Sequence, residues 1–112
     1  MQLKEDKIGG ILVLKPLDKR FDAHSAVDFK ARMADFVSSG HTVIILDLSE
    51  VDFIDSSGLG AIVSALKTVG RNGDLVLCGI KETVMSLFRL TRMDRVFRIF
   101  TDQGEATAAL SS

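Results

Sequence analysis

With 112 residues the chain has room for one hydrophobic core and too little for a second. Hydrophobic residues make up 46% and charged residues 26%, a globular composition, and a formal charge of −1 gives no broad pull toward nucleic acid or an anionic membrane. The expectation is therefore a single domain over residues 1–112. It is placed in the cytoplasm, with no membrane insertion, because Met1 to Lys7 lacks the apolar stretch of a signal peptide and no run approaches the roughly 18 apolar residues of a span.

The first predicted element is an edge strand over Leu3 to Ile8, turning through Gly9-Gly10 into a buried strand within Gly10 to Leu17, where Ile11-Leu12-Val13-Leu14 is short, apolar and bounded by glycines and Pro16. From Ala23 to Ser38, apolar residues recur at Ala26, Phe29, Met33, Phe36 and Val37 with the period of an amphipathic helix, and Asp22 stands where its N-cap belongs. Ser39-Gly40 ends that helix. Thr42 to Leu48 follows as a nearly continuous β-branched and apolar run, the pattern of a strand covered on both faces.

Val51-Asp52-Phe53-Ile54 then leads into Asp55-Ser56-Ser57-Gly58-Leu59-Gly60 and a second amphipathic helix with Leu59, Ile62, Val63, Leu66 and Val69 on one stripe, closed by Asn72-Gly73. Leu75 to Cys78 reads as a buried strand, Lys81 to Leu90 as a helix with Val84, Leu87 and Phe88 inward, Val96 to Phe100 as a last strand and Glu105 to Leu110 as a terminal helix. Strands alternating with helices imply an α/β layered domain with a mostly parallel or mixed sheet.

In such sheets function gathers where strand ends lead into helix N-termini, and Asp55 to Gly60 lies at that kind of place. Ser56 or Ser57 caps or begins the helix, and Gly58 and Gly60 leave its first turn open to another molecule. A phosphate on such a serine would meet free N–H groups and a favourable helix dipole, yet also the carboxylates of Asp52 and Asp55, so switching by repulsion at an interface is expected. Ser and Asp also cap helices in any protein, which makes a purely structural role the competing explanation.

Other chemistry finds little support. Cys78 is the only cysteine and sits inside an apolar run, and His24 and His41 stand 17 positions apart without metal-ligand spacing, so no metal and no cofactor are expected. Asp47 ends a strand as a phosphoaspartate acceptor would, but Lys15-Pro16-Leu17-Asp18 offers at most one of the acidic residues such a site needs for its cation. There is no Gly-x-Ser-x-Gly elbow and no phosphate loop, and no catalytic residue is expected.

The run from Val43 to Gly60 resembles the signature of STAS domains, and specifically of anti-sigma factor antagonists. Gly10 to Leu14, Phe21-Asp22-Ala23, Gly73 to Gly79 and Leu90 to Phe97 are similar to further parts of that family, so the likeness runs over nearly the whole chain. The resemblance implies a mixed four- to five-stranded sheet packed with about four helices. It also implies a partner-switching role, in which the unphosphorylated antagonist binds an anti-sigma factor serine/threonine kinase and so frees the sigma factor. Phosphorylation breaks that complex, and a metal-dependent serine phosphatase resets it. The resemblance makes Ser57 the phosphoacceptor in preference to Ser56, and places Arg20, Phe21, Asp22, Asp55, Gly58, Leu59 and Gly60 around it or at the partner surface. Lys19-Arg20-Phe21-Asp22 departs from the family's usual loop by lacking its glycine and adding two positive charges. The same fold also serves as an accessory module of transporters or a scaffold in signalling assemblies, where the serine need not be phosphorylated.

Overall fold

The computed structural model describes residues 1–111. Strand β1 (Leu3–Ile8) turns back through Gly9 and Gly10 onto β2 (Ile11–Pro16), with Ile8 opposite Ile11. Gly9 takes φ +60°, the left-handed conformation that a two-residue hairpin turn demands of its first position. A two-residue strand β3 (Arg20–Phe21) precedes helix α1 (Ala23–Ser38), then come β4 (Val43–Asp47), a second two-residue strand β5 (Phe53–Ile54) and helix α2 (Ser56–Val69). The chain continues through β6 (Asp74–Cys78), α3 (Glu82–Leu90), a 3-10 turn at Met93–Arg95, β7 (Ile99–Phe100) and α4 (Gln103–Ser111).

Five strands form the main sheet in the order β1-β2-β4-β6-β7, in which β1 runs antiparallel to β2 and the other neighbours are parallel. The expected mixed sheet with four α-helices is therefore present. Side-chain alternation divides its two faces. Leu12, Leu14, Ile44, Leu46, Leu75 and Leu77 join the larger core with Phe29 and Met33 of α1, Ile62 and Ala65 of α2, and Val84 and Phe88 of α3. Ile11, Val13, Ile45, Val76 and Cys78 face Ala106 and Leu110 of α4. The central strand β4 is covered on both sides, which is why its sequence shows no polar alternation.

Three details differ from expectation. The last strand is only Ile99–Phe100, because Phe97 turns into the core, where its ring meets Phe88 edge-on at 6.3 Å, and so leaves the strand path. Helix α2 closes on Gly70, at φ +75°, and not on Asn72-Gly73. Gly73 instead allows the turn to press on β4's approach, since a β-carbon there would lie 2.3 Å from the Thr42 carbonyl oxygen. The third is a separate parallel pair, β3 beside β5, with Arg20 opposite Phe53 and Phe21 opposite Ile54.

Candidate functional site

The β3–β5 pair fixes the geometry of the site. Each strand ends one residue before an aspartate that caps a helix, so Asp22 and Asp55 follow the paired residues Phe21 and Ile54, and α1 and α2 start side by side. Asp22 accepts the N–H groups of His24 at 3.1 Å and Ser25 at 3.3 Å. Its carboxyl is held below the usual range, first by the Ser25 N–H, then by the His24 N–H and the Arg20 guanidinium, whose Nε stands 3.7 Å away.

At the second helix Asp55 is the cap: its Oδ1 accepts the Gly58 N–H at 2.9 Å, and its carbonyl accepts the Leu59 N–H at 3.0 Å. Ser56 and Ser57 therefore begin α2 without capping it. Both are exposed, and the Ser57 hydroxyl has no hydrogen-bond partner among the described residues. A structural capping role for either serine is thereby ruled out, because Asp55 already fills it.

The surroundings correct several expectations. A β-carbon on Gly58 would sit 2.1 Å from the Phe21 carbonyl oxygen, so this glycine is required by the close approach of α2 to β3 and does not open the turn to a partner. Gly60 has open space around it and does keep the surface clear. Leu59 is only 7% exposed and packs into the core, while Phe21 is fully buried with its ring edge-on to Phe29 at 5.0 Å. Neither side chain reaches a partner, since both supply apolar area to the interior. Arg20 does stay outside, its guanidinium lying 4.1 Å over the Phe53 ring.

Two carboxylates expected to face a phosphate are otherwise engaged. Asp55 points at Gly58, and Asp52 is ion-paired with Lys81 at the start of α3, whose hydrogen bond holds the Asp52 carboxyl below its ordinary range. Lys81 offsets the charge of Asp52, whereas Asp55 keeps its charge two residues from Ser57. A shallow groove between α1 and α2, not foreseen, runs past Ser57: Ala23, Val27 and Lys30 line one wall, Ser57, Gly60 and Ser64 the other. Val27 was its sequence signal, an apolar residue off the buried stripe of α1 and 71% exposed.

The remaining reactive groups serve the fold. Burial, reinforced by the carboxylates of Asp47 and Asp102, pushes the Cys78 thiol up to about 12. Asp47 is tied to the Ser49 N–H at 2.9 Å and the Gln103 side-chain amide at 2.6 Å, which joins β4 to α4. Among the described residues no cluster of three or more His, Cys, Asp or Glu could hold a metal ion, and no helix is long and apolar enough to cross a membrane.

With this geometry in hand, comparison with known proteins is decisive: a model of the STAS domain matches residues 2–106. The chain belongs to the STAS domain family. Among STAS relatives, BtrV of Bordetella bronchiseptica, named as a candidate anti-sigma factor antagonist, is 30% identical over 113 residues, taking in 100% of this chain and 97% of BtrV. The anti-sigma-B factor antagonist of Listeria monocytogenes is 33% identical over 85 residues, 75% of each protein. The crystal structure of the Thermotoga maritima protein TM1081 superposes with a TM-score of 0.91 at 29% identity, covering 98% of this STAS domain and 95% of that chain. The Bordetella and Listeria relatives both carry the name of a regulator, an antagonist of an anti-sigma factor.

Proposed function

We propose that this single STAS domain is an anti-sigma factor antagonist switched by phosphorylation of Ser57. Unphosphorylated, it binds an anti-sigma factor that is a serine/threonine kinase and so releases the sigma factor. Phosphate transfer from ATP to the Ser57 hydroxyl, which loses its proton, dissolves the complex, and a metal-dependent phosphatase hydrolyses the ester to restore binding. The observation that carries this reading is an exposed Ser57 with no bonding duty of its own, one residue inside a helix whose cap is supplied by Asp55. The names of the relatives support the regulatory part.

The groove and Gly60 give a partner a close approach to the hydroxyl. A phosphate there adds about −1.5 to −2 charges at pH 7. With Asp52 paired to Lys81, the phosphate's own bulk and charge, added beside Asp55, would break the contact.

Incubation with the cognate kinase and ATP should add one phosphate, located to Ser57 by fragment mass spectrometry. Ser57→Ala should abolish labelling while Ser56→Ala retains it; equal labelling of Ser57→Ala would refute the assignment. Ser57→Asp should weaken kinase binding and leave folding stability within about 0.5 kcal/mol, since an exposed carboxylate in a first helical turn is tolerated.

A further inference from the structure

The stretch from Arg89 to Arg98 carries four arginines and one carboxylate, Asp94, a formal +3 within a chain whose total is −1. It forms the end of α3, the 3-10 turn and the approach to β7. Two of the arginines are engaged: Arg89 pairs with Glu82, and Arg98 lies 5.5 Å over the Phe100 ring. Arg92 and Arg95 are exposed and make no ion pair among the described residues. Leu90, 84% exposed, and Val96, 51% exposed, stand among them, two of the large apolar side chains this surface leaves in water.

The segment is held from beneath. Phe88 and Phe97 are buried edge-to-face, the Thr91 hydroxyl donates to the Leu87 carbonyl at 2.8 Å, and the Phe97 N–H donates to the Met93 carbonyl at 3.0 Å. Arg92 has φ +61°, and among the described residues it is alone in having positive φ without being glycine. That place just past a helix end is one glycine fills freely and a β-carbon opposes. An arginine is thus kept there against its backbone preference, exposed on a pinned turn beside exposed leucine and valine.

We infer that the α3–β7 connection is a second docking surface, taking an acidic amphipathic segment of a partner protein. Its carboxylates would meet Arg92 and Arg95, and its apolar residues would cover Leu90 and Val96. Planar guanidinium groups suit paired carboxylate oxygens, which explains arginine in preference to lysine here. An anionic membrane fits less well, because recruitment takes a cluster of about four to eight free basic residues and, among the described residues, only two in this stretch are free. Nucleic acid fits less well again, since its affinity is built from about six to ten phosphate contacts. The inference stands whether or not Ser57 is phosphorylated. The Lys81–Asp52 pair lies at the start of α3, and the arginines lie at its far end, about 13 Å along the helix axis.

The test is an NMR titration of the whole protein with a synthetic helical peptide bearing glutamates around two leucines. Shift changes confined to residues 89–98 are expected, together with affinity that weakens as salt is raised. Arg92→Gly/Arg95→Gln should weaken binding at least about tenfold, and exchanging the peptide leucines for serine should do the same. Arg92→Gly alone should melt about 3–6 °C higher, as relief of its backbone conformation requires. Unchanged affinity in the double variant, shifts centred on Ser57, or a lower melting temperature for Arg92→Gly would overturn the inference. So would tighter binding to phosphatidylglycerol vesicles or duplex DNA than to the peptide.

Discussion

Replacing Gly58 by alanine tests whether the start of α2 is positioned by its contact with β3. The new methyl carbon would lie 2.1 Å from the Phe21 carbonyl oxygen and 2.9 Å from both its carbonyl carbon and Cδ1, at least about 1.3 Å inside ordinary contact at the closest atom. Backbone and a fully buried ring cannot swing aside as a flexible side chain would. Overpacking of this kind costs about 3 kcal/mol, and alanine returns about 1 kcal/mol of helix propensity, leaving a net loss of about 2 kcal/mol. For a domain of this size that lowers the melting temperature by about 6–12 °C. Gly60→Ala, two residues on with open space around it, lacks the clash and should melt about 2–6 °C higher through propensity alone. Calorimetry on the pair separates the two effects. A Gly58→Ala protein as stable as wild type would refute the argument that this glycine is imposed from within.

Asp55→Ala should cost about 1 kcal/mol in urea unfolding, because it removes the cap from the Gly58 N–H. The Cys78 thiol should ignore a disulfide reagent at neutral pH and react only when urea opens the fold. Its raised value also means that the folded state keeps a proton the unfolded chain gives up, so Cys78 contributes stability that is full below pH 9 and declines as pH climbs toward about 12. Lys81→Met should return the Asp52 carboxyl to the ordinary range in an NMR titration. The pair's small contribution, present above the ordinary carboxyl value and lost as acid protonates Asp52, should disappear with it.

Much of the fold could be read from local pattern. Helix α1 occupies Ala23–Ser38 with Asp22 as cap, because a 3.6-residue stripe and a capping aspartate both act within a few residues of one another. The buried strand β4 was equally plain from its unbroken apolar run. What escaped depends on distant partners. Two-residue strands such as β3 and β5 carry no periodicity, and it is their pairing that sets the two caps side by side. Whether a glycine clears the way for a partner or for the chain's own backbone is decided by tertiary approach, so Gly58 and Gly60 look alike in sequence and differ in space. Asp52 reads as a neighbour of Ser57 until Lys81, 29 positions later, draws it away. The same holds for Leu59 and Phe21, placed at a partner surface by resemblance and found inside the core.

The rim of the main sheet has its own consequence. One boundary is β1, whose outward residues Lys4, Glu5, Asp6 and Lys7 alternate no apolar face, and the other is β7, only two residues long. Charge on one border and brevity on the other deny a neighbouring molecule a strand to extend, so the domain resists runaway ribbon formation at high concentration. Contact with other proteins is thereby left to helices and turns, surfaces that can release what they hold.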